Sequence, residues 1–237
     1  MSIIFRASSI GNLMGSSTSI DQSLINDHVK SIQNKTKAKR SIDEQKLLDD
    51  LLWNTLPDGA ITQLDKMISQ KLINWQDAEF DFYTTEKGKA CEHESIELYN
   101  EVKDTFYLKN AERVTIGNLT GECDLLDKSE SLVIDIKTAY SKKTYPLMLK
   151  ISKLYEWQLR AYMYLYDVDN AELAYCLVNT PFDLISSKDP EHWHIVDDVP
   201  MNLRVSTLRI SRDAEKEKQM LSRLELSSKY INDYLNK

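Results

Sequence analysis

Two carboxylates and one lysine come together in a short segment near the middle of the chain. In the strand-like run Leu132–Thr138, Asp135 and Lys137 share one face, because side chains alternate across a strand. Asp124 stands in the preceding strand-like segment and can join that face across a hairpin. Two carboxylates can hold a hard cation, which lowers the pKa of a bound water, and a neighbouring lysine can stabilise developing charge. The group could therefore hydrolyse a phosphodiester, although an ordinary surface strand with an Asp–Lys pair shows the same pattern.

A glutamate on the apolar stripe of a helix could join this group. At about 100° per residue, Glu92 falls on one stripe with four other residues, Ser95, Ile96, Tyr99 and Val102. The next three glutamates of the helix lie on its opposite side. Burying an unpaired carboxylate is costly, so Glu92 needs a partner. A metal ion or a basic residue would serve, and the stripe leaves both open.

A glutamine breaks the apolar face of a later helix, predicted over about residues 154–166. Gln158 shares that face with Tyr162 and several aliphatic side chains, so it needs a hydrogen-bond partner. The aromatic residues of this helix could stack on nucleic-acid bases. Aromatic residues at helical spacing more often form core, and we expect core packing for Trp157 and Tyr166.

The segments that must position these residues alternate between helices and strands. Ser41 and Glu44 form a capping box at the start of one helix. Further helices are predicted over residues 61–73, 85–103 and 212–235, and strands over 113–126, 132–138, 172–179 and 203–210. Residues 15–39 are polar and weakly periodic, and we expect them to be mobile. This order predicts an α/β fold in which a mixed central sheet is flanked by helices.

The composition limits the class of protein. The formal net charge is −7, which alone disfavours a polyanionic partner. Lys142 and Lys143 nevertheless follow the central strand and could face nucleic acid. No apolar run approaches the roughly 20 residues of a transmembrane helix, and the start is too short and polar for a secretory signal. We therefore expect a cytoplasmic protein.

Cysteine and histidine give little sign of a metal site. The three cysteines are far apart and contain no C-x-x-C pair, which argues against a disulfide framework or a zinc ribbon. His192 and His194 would lie on the same face of a strand-like run, where a metal could bridge them. An ordinary exposed edge strand is the preferred interpretation.

Four motifs, taken in order, resemble the PD-(D/E)xK nuclease superfamily and, within it, the phage lambda exonuclease-like branch of viral recombination nucleases. They are the G-x-x-x-E-x-x-A helix (Gly88 to Ser95), the G-x-x-D strand (Gly121 to Asp124), the D-x-K element (Asp135 to Lys137) and the Q-x-x-x-Y helix (Gln158 to Tyr162). Ser95 replaces the usual alanine, and Cys123 stands where the superfamily name places proline. The resemblance implies a restriction-endonuclease-like fold and a single nuclease domain over residues 1–237, with an N-terminal helical region at about 1–80.

The same resemblance implies roles for the motif residues. Mg²⁺, with Mn²⁺ able to substitute, would be held by four groups: Glu92, Asp124, Asp135 and the Ile136 carbonyl. Lys137 would position the attacking water. Gln158 would hold that water, Lys137 or a phosphate, and Tyr162 would pack beneath the site.

The implied activity is an exonuclease that resects duplex DNA ends and supplies single strands to a phage annealing protein. A closed homo-oligomer, such as a trimeric ring, and the cytoplasm of a bacterial host are implied with it. Two alternatives stay open: a RecB-like or endonucleolytic nuclease on this scaffold, and a non-catalytic DNA-binding protein on a decayed one.

The first residues suggest which DNA end is attacked. Ser8 or Ser9 could cap a short helix whose free amides favour an anion, and Arg6 could add a forked contact to phosphate. This resembles the start of lambda exonuclease-like proteins, where an arginine and a serine meet the terminal 5′-phosphate. The implied direction is 5′ to 3′, although an ordinary capped helix with a surface arginine would look the same.

Overall fold

The computed structural model describes residues 3–75 and 82–236 of the chain. Seven α-helices lie within these residues: α1 (Asp27–Gln33), α2 (Ile42–Trp53), α3 (Asp58–Ile73), α4 (Phe82–Ala90), α5 (Glu92–Lys103), α6 (Lys153–Tyr166) and α7 (Ala214–Leu235). The same part of the chain has seven strands: β1 (Phe5–Arg6), β2 (Val114–Ile116), β3 (Leu119–Gly121), β4 (Leu125–Asp127), β5 (Leu132–Thr138), β6 (Asn170–Cys176) and β7 (Val205–Ser211). No helix among the described residues is both long and apolar enough to cross a membrane.

The main sheet has four strands in the order β4-β5-β6-β7. Strands β5 and β6 are parallel from Leu132 opposite Asn170 to Thr138 opposite Cys176, and the outer pairs are antiparallel. A smaller sheet pairs β1 in parallel with β3, and β3 with β2 in a hairpin. The predicted α/β fold with a mixed sheet and flanking helices is therefore confirmed.

Strand β5 is buried on both faces, as a strand inside such a sheet should be. Val133 belongs to the core cluster that contains residues of α6, whereas Ile134 and Ile136 belong to the cluster that contains residues of α5. The face that carries Asp135 is thus covered by α6 rather than open to solvent. Helices α5 and α6 hold β5 between them.

Helix α6 also packs closely on the N-terminal segment. Residues Ala7–Leu13 form a 3₁₀ helix, in which a Cβ on Gly11 would lie 2.7 Å from the Leu154 Cα and 2.9 Å from its carbonyl oxygen. Only glycine allows this approach, because backbone atoms cannot give way as a flexible side chain can. The chain just after this 3₁₀ helix contacts α7 through the Arg223 guanidinium, which donates to the Gly15 carbonyl oxygen. The same guanidinium also donates to the carbonyl oxygens of Trp53 and Thr55.

The predicted capping box at Ser41 and Glu44 is present at the start of α2. The segment at residues 15–39, whose sequence is polar and weakly periodic, contains secondary structure. Helix α1 forms there with Asn26 as its N-cap, and a small core cluster unites this segment with α2 through four buried residues, Ile20, Val29, Ile32 and Leu48. Four apolar residues at suitable spacing are enough to anchor a segment whose overall composition is polar.

Three other predicted elements need correction. The helix over 85–103 is interrupted at Cys91, whose ψ of 15° separates α4 from α5. The strand over 113–126 is three short strands, because Gly117 adopts a φ of 60° and reverses the chain between β2 and β3. The run with His192 and His194 is not an edge strand. It forms a 3₁₀ turn after Pro190, and His194 is fully buried with its Nδ1 3.0 Å from the Thr180 hydroxyl.

Candidate active site

Asp124 is held against the middle of β5. It precedes β4, whose first residue, Leu125, pairs with Ile134 on β5. One oxygen of the Asp124 carboxylate accepts a hydrogen bond from the Ile136 amide at 2.6 Å. Burial, together with the nearby Asp135 charge, raises the pKa of Asp124 to about 7. The two predicted acidic residues therefore do share one site across the hairpin.

Asp135 is the buried centre of this site, with 2% of its surface exposed. Its Oδ2 lies 2.7 Å from the Lys137 ammonium nitrogen, and its Oδ1 accepts from the Gln158 amide at 3.0 Å. Gln158 thus has the hydrogen-bond partner that its place on an apolar helix face demanded. A buried charge that is both paired and hydrogen-bonded is held in one orientation.

Lys137 stays protonated in this setting. Burial of the ammonium group lowers its pKa, but the Asp135 and Asp124 carboxylates outweigh that effect and hold the pKa above its ordinary value. The ammonium also lies 5.3 Å from the centre of the Tyr155 ring, a distance typical of a cation–π contact. A lysine that keeps its proton can orient a water or stabilise an anion, but it cannot serve as the base that removes a proton.

Tyr162 lies beneath the site, as the motif implied. Its hydroxyl accepts from the Gln158 amide at 3.0 Å, and burial raises its pKa, so the phenol stays neutral. On its other side the ring meets Gly121, where an added Cβ would lie 3.0 Å from it. Tyr162 therefore separates the catalytic group from a second, smaller cavity described below.

Glu92 opens α5 at the rim of the same cleft. Its carboxylate is paired with the Lys109 ammonium, and its side chain is 35% exposed. Of the two partners that the apolar stripe left open, the structure thus contains the basic residue. Among the described residues, no three side chains of histidine, cysteine, aspartate or glutamate are grouped to hold one ion. Glu92, Asp124 and Ile136 nevertheless line one cleft of about 640 Å³.

The donors in this cleft suit a hard divalent cation. Asp135 is a buried carboxylate paired with the Lys137 ammonium, and Asp124 is a half-buried one whose pKa is raised first by desolvation and then by the Asp135 charge. All donors of the predicted set are oxygen atoms, which magnesium and manganese prefer. A cation here would relieve the repulsion between the two carboxylates.

Of the three N-terminal residues predicted to meet a DNA end, Arg6 and Ser8 line a small cavity of about 190 Å³ on the far side of Tyr162, and Ser9 does not. Arg113 also lines this cavity and forms an ion pair with Glu122 at 3.0 Å. The predicted serine cap is absent: the 3₁₀ helix follows β1 directly, Arg6 is at its N-cap without a side-chain cap, and the Ser9 hydroxyl donates back to the Arg6 carbonyl.

The two lysines after the central strand turn away from the cleft. Lys142 lies 2.5 Å from a carboxylate oxygen of Asp198, and Lys143 lies over the Trp193 ring at 4.7 Å. Their charges are thus shared with the segment that precedes β7. Neither lines the cleft beside Lys137.

Sequence reasoning missed several residues of the cleft wall. Helix α4 contributes Thr84, Thr85 and Lys89, and two tyrosines, Tyr155 and Tyr175, stand opposite with ring centres 6.4 Å apart. Tyr155 precedes Gln158 by three residues, so the helical period could have placed it beside the site. Lys109 carried no such signal, because its contact with Glu92 joins residues 17 apart through a loop.

The comparisons identify the family. The profile of the PD-(D/E)XK nuclease superfamily matches residues 28–233, so the chain belongs to that superfamily of phosphodiester-hydrolysing enzymes, as the motifs predicted. The structure is similar to that of a phage related exonuclease from Haemophilus somnus 129PT, with 25% identity, a TM-score of 0.78, and coverage of 100% of this chain and 96% of that one. It also resembles an alkaline exonuclease from Laribacter hongkongensis, at 17% identity and a TM-score of 0.54, with 77% and 86% of the two chains covered. A comparison with curated protein sequences gave no match.

Proposed function

We propose that this nuclease is a metal-dependent exonuclease that resects the ends of duplex DNA. The observation that carries the proposal is the Asp124–Asp135–Lys137 group, buried at the base of an open cleft and oriented by Gln158. Near full-length similarity to a phage related exonuclease supports action at DNA ends. A decayed, non-catalytic scaffold is disfavoured, because Asp124, Asp135, Lys137 and Gln158 are all present and lie together in one site.

In the proposed mechanism the protein supplies orientation and electrostatic stabilisation. Mg²⁺, or Mn²⁺ in its place, would be held by Asp124, Asp135 and the Ile136 carbonyl, with Glu92 as a further ligand once its carboxylate leaves Lys109. A cation bound there would supply a water of lowered pKa and neutralise phosphate charge. Lys137 keeps its proton, orients the attacking water and stabilises charge that develops on the phosphate. Gln158 fixes Asp135 against Lys137 through its amide and is itself fixed by Tyr162.

We assign the small cavity to the 5′-terminal phosphate, which sets the direction as 5′ to 3′. The guanidinium groups of Arg6 and Arg113 and the hydroxyl of Ser8 are the donors in reach of such an anion. The terminal phosphate would displace Glu122 from Arg113, since both are anions that compete for one guanidinium.

This assignment is tested with 5′-phosphorylated and 5′-hydroxyl duplexes. We expect faster digestion of the phosphorylated end, and we expect Arg6→Ala to erase that preference while leaving the metal site unchanged. Equal rates on both ends for the unmodified protein would remove Arg6 from this role. The nuclease assignment itself would stand.

The proposal extends to assembly and partners. A closed ring, such as a trimer, with basic residues inside and an acidic exterior would reconcile the net charge of −7 with a DNA substrate. The single strands released would be passed to a phage-type annealing protein in the cytoplasm of a bacterial host. Lys142 and Lys143 would contribute to DNA contact only after leaving Asp198 and Trp193.

Linear and covalently closed circular duplexes separate the proposed function from an endonuclease on the same scaffold. With magnesium present, we expect the linear duplex to be degraded from its ends and the circle to stay intact. Asp135→Asn should abolish degradation and so exclude a contaminating nuclease. Linearisation of the circle at a rate similar to that of end digestion would refute the assignment as an exonuclease.

A further inference from the structure

A lysine outside the catalytic group is completely buried behind one wall of the cleft. Lys87 lies in α4 with 0% of its surface exposed. Its ammonium donates to the carbonyl oxygens of Ala139 at 2.8 Å, Tyr140 at 3.1 Å and Val178 at 2.8 Å. All three protons of the ammonium therefore have an acceptor.

The three carbonyls belong to the ends of the two parallel strands. Ala139 and Tyr140 follow β5 directly, two and three residues beyond Lys137, and Val178 follows β6. The Thr180 hydroxyl also donates to the Tyr140 carbonyl, at 3.0 Å. Burying an ammonium costs far more than burying an aliphatic side chain of similar length. A position that required packing alone would be filled at lower cost by an apolar residue.

Lys87 connects the two sides of the cleft. Residues on the outer face of its own helix, among them Thr84, Thr85 and Gly88, line one wall. Ala139 and Tyr140, to which it donates, line the wall that continues from the catalytic strand. We propose that Lys87 is a positioning residue that fixes the separation of these walls and thereby the affinity of the cleft for DNA. This inference rests on the proposed function and concerns binding rather than the chemical step.

The surroundings of Lys87 make its bridge sensitive to pH. Cys91 on the turn between α4 and α5, Glu94 on α5 and His194 in the segment before β7 are the titratable groups that face it. Burial lowers the pKa of Lys87 to about 8. A neutral amine has two protons for three carbonyls, so one acceptor would be lost as the pH rises through this value.

The chain offers a matched control. Arg223 is also a fully buried cation that donates to three backbone carbonyls, but these lie at Gly15, Trp53 and Thr55, and none of those residues lines the catalytic cleft. Lys87→Met and Arg223→Met each remove one buried charge and leave three carbonyls short of a donor. Both should lower the melting temperature, whereas only the first should change DNA binding.

The test measures KM and kcat on a linear duplex with magnesium, and Kd for a short duplex with Ca²⁺ in place of magnesium. For Lys87→Met we expect KM and Kd to rise about tenfold and kcat to change less than about threefold, the pattern of lost ground-state binding. Arg223→Met should keep the KM and Kd of the unmodified protein. Equal KM increases in both variants, or unchanged KM in Lys87→Met, would overturn the proposal.

A second measurement keeps the inference testable if Lys87→Met does not fold. With Ca²⁺, the Kd of the unmodified protein and of Arg223→Met should rise between pH 7 and pH 9 relative to that of Lys87→Arg, whose cation keeps its charge in this interval, while the titration of Asp124 is common to all three. Parallel pH profiles of Kd for Lys87→Arg and the unmodified protein would contradict the role of Lys87. If the protein binds duplex DNA but does not cleave it with magnesium, the proposed function fails while these binding experiments still decide the role of Lys87.

Discussion

At the scale of single residues, the catalytic group is a set of buried charges that balance only in part. Asp135 has Lys137 and Gln158, whereas Asp124 has one backbone amide and the repulsion of its neighbour. The protonated Lys137 can orient the attacking water and stabilise charge on the phosphate. The base that removes a proton from that water must be another group. Two predictions follow from these charges.

Replacement of Lys137 by alanine should reduce cleavage on the order of 10²-fold or more, because one electrostatic contact to the transition state is lost. DNA binding and folding should be retained, since Lys137 is not expected to ligate the metal. The measurement is single-turnover cleavage of an end-labelled duplex, with Lys128→Ala in the exposed β4–β5 turn as control. Cleavage by the Lys137 variant at a rate near that of the control would exclude the assigned role.

The raised pKa of Asp124 predicts a stability change in the metal-free protein. In the unfolded chain its pKa is about 3.9, and in the folded protein it is about 7. A group whose pKa is raised on folding contributes stability that is complete below the unfolded value and is lost as the pH rises through the folded value. Metal-free protein should therefore lose stability from about pH 4 to pH 7, and Asp124→Asn should have the higher melting temperature at pH 8.

Asp127 provides a control, because its pKa shift on folding has the opposite sign to that of Asp124. Hydrogen bonds from Ser129 and Tyr107 lower its pKa to about 2, so Asp127→Asn should melt at a lower temperature at pH 8. The measurement is thermal unfolding in the presence of a chelator, and repetition with magnesium should reverse the order of Asp124→Asn and the unmodified protein. A metal-free Asp124→Asn variant that melts below the unmodified protein at pH 8 would contradict the raised pKa of Asp124.

At the scale of elements, the sequence best predicted the features that depend on the periodicity of a single helix or strand. The alternation of side chains in β5 correctly predicted that Asp135 and Lys137 lie side by side. The apolar stripe of α6 did the same for Gln158 and Tyr162, because each pattern is a property of one element. The interruption at Cys91 and the pairing of Glu92 with Lys109 were not predictable, since both depend on how a helix meets a loop distant in sequence. The burial of His194 was likewise decided by packing against Tyr140 and Thr180.

The contact between α6 and the N-terminal 3₁₀ helix gives a prediction for glycine. Gly11→Ala should destabilise the protein by roughly 1–3 kcal/mol, because its Cβ would lie 2.7 Å from the Leu154 Cα and the two elements must separate. Gly59→Ala is the matched control, since a Cβ there meets nothing within 4 Å and alanine is the better helix former. Chemical denaturation measures both, and a Gly11→Ala variant as stable as Gly59→Ala would show that this approach is not tight.

At the scale of the whole molecule, an acidic protein must bind a polyanion. Basic side chains line the cleft, the small cavity and the groove beside α5, and they are Arg6, Arg113, Lys89, Lys109 and Lys137. Local positive charge of this kind can attract a polyanion to a cleft although the net charge of the chain is negative.

The proposed ring predicts the behaviour of the protein in solution. Sedimentation velocity should show a closed oligomer, such as a trimer, whose size stays constant over a wide range of concentration. Cleavage of long linear duplexes should then be processive, because an encircled strand cannot dissociate sideways. A strictly monomeric species at the concentration of the activity assay would contradict this arrangement.

In the proposed reaction, Asp124, Asp135 and Lys137 hydrolyse DNA from a duplex end with the help of a divalent cation. The most direct measurement follows nucleotide release from an end-labelled linear duplex, with magnesium or with a chelator, for the unmodified protein and for Asp135→Asn. Nucleotide release is expected only for the unmodified protein with magnesium. Release in the presence of the chelator, or at an undiminished rate by Asp135→Asn, would contradict the proposed reaction.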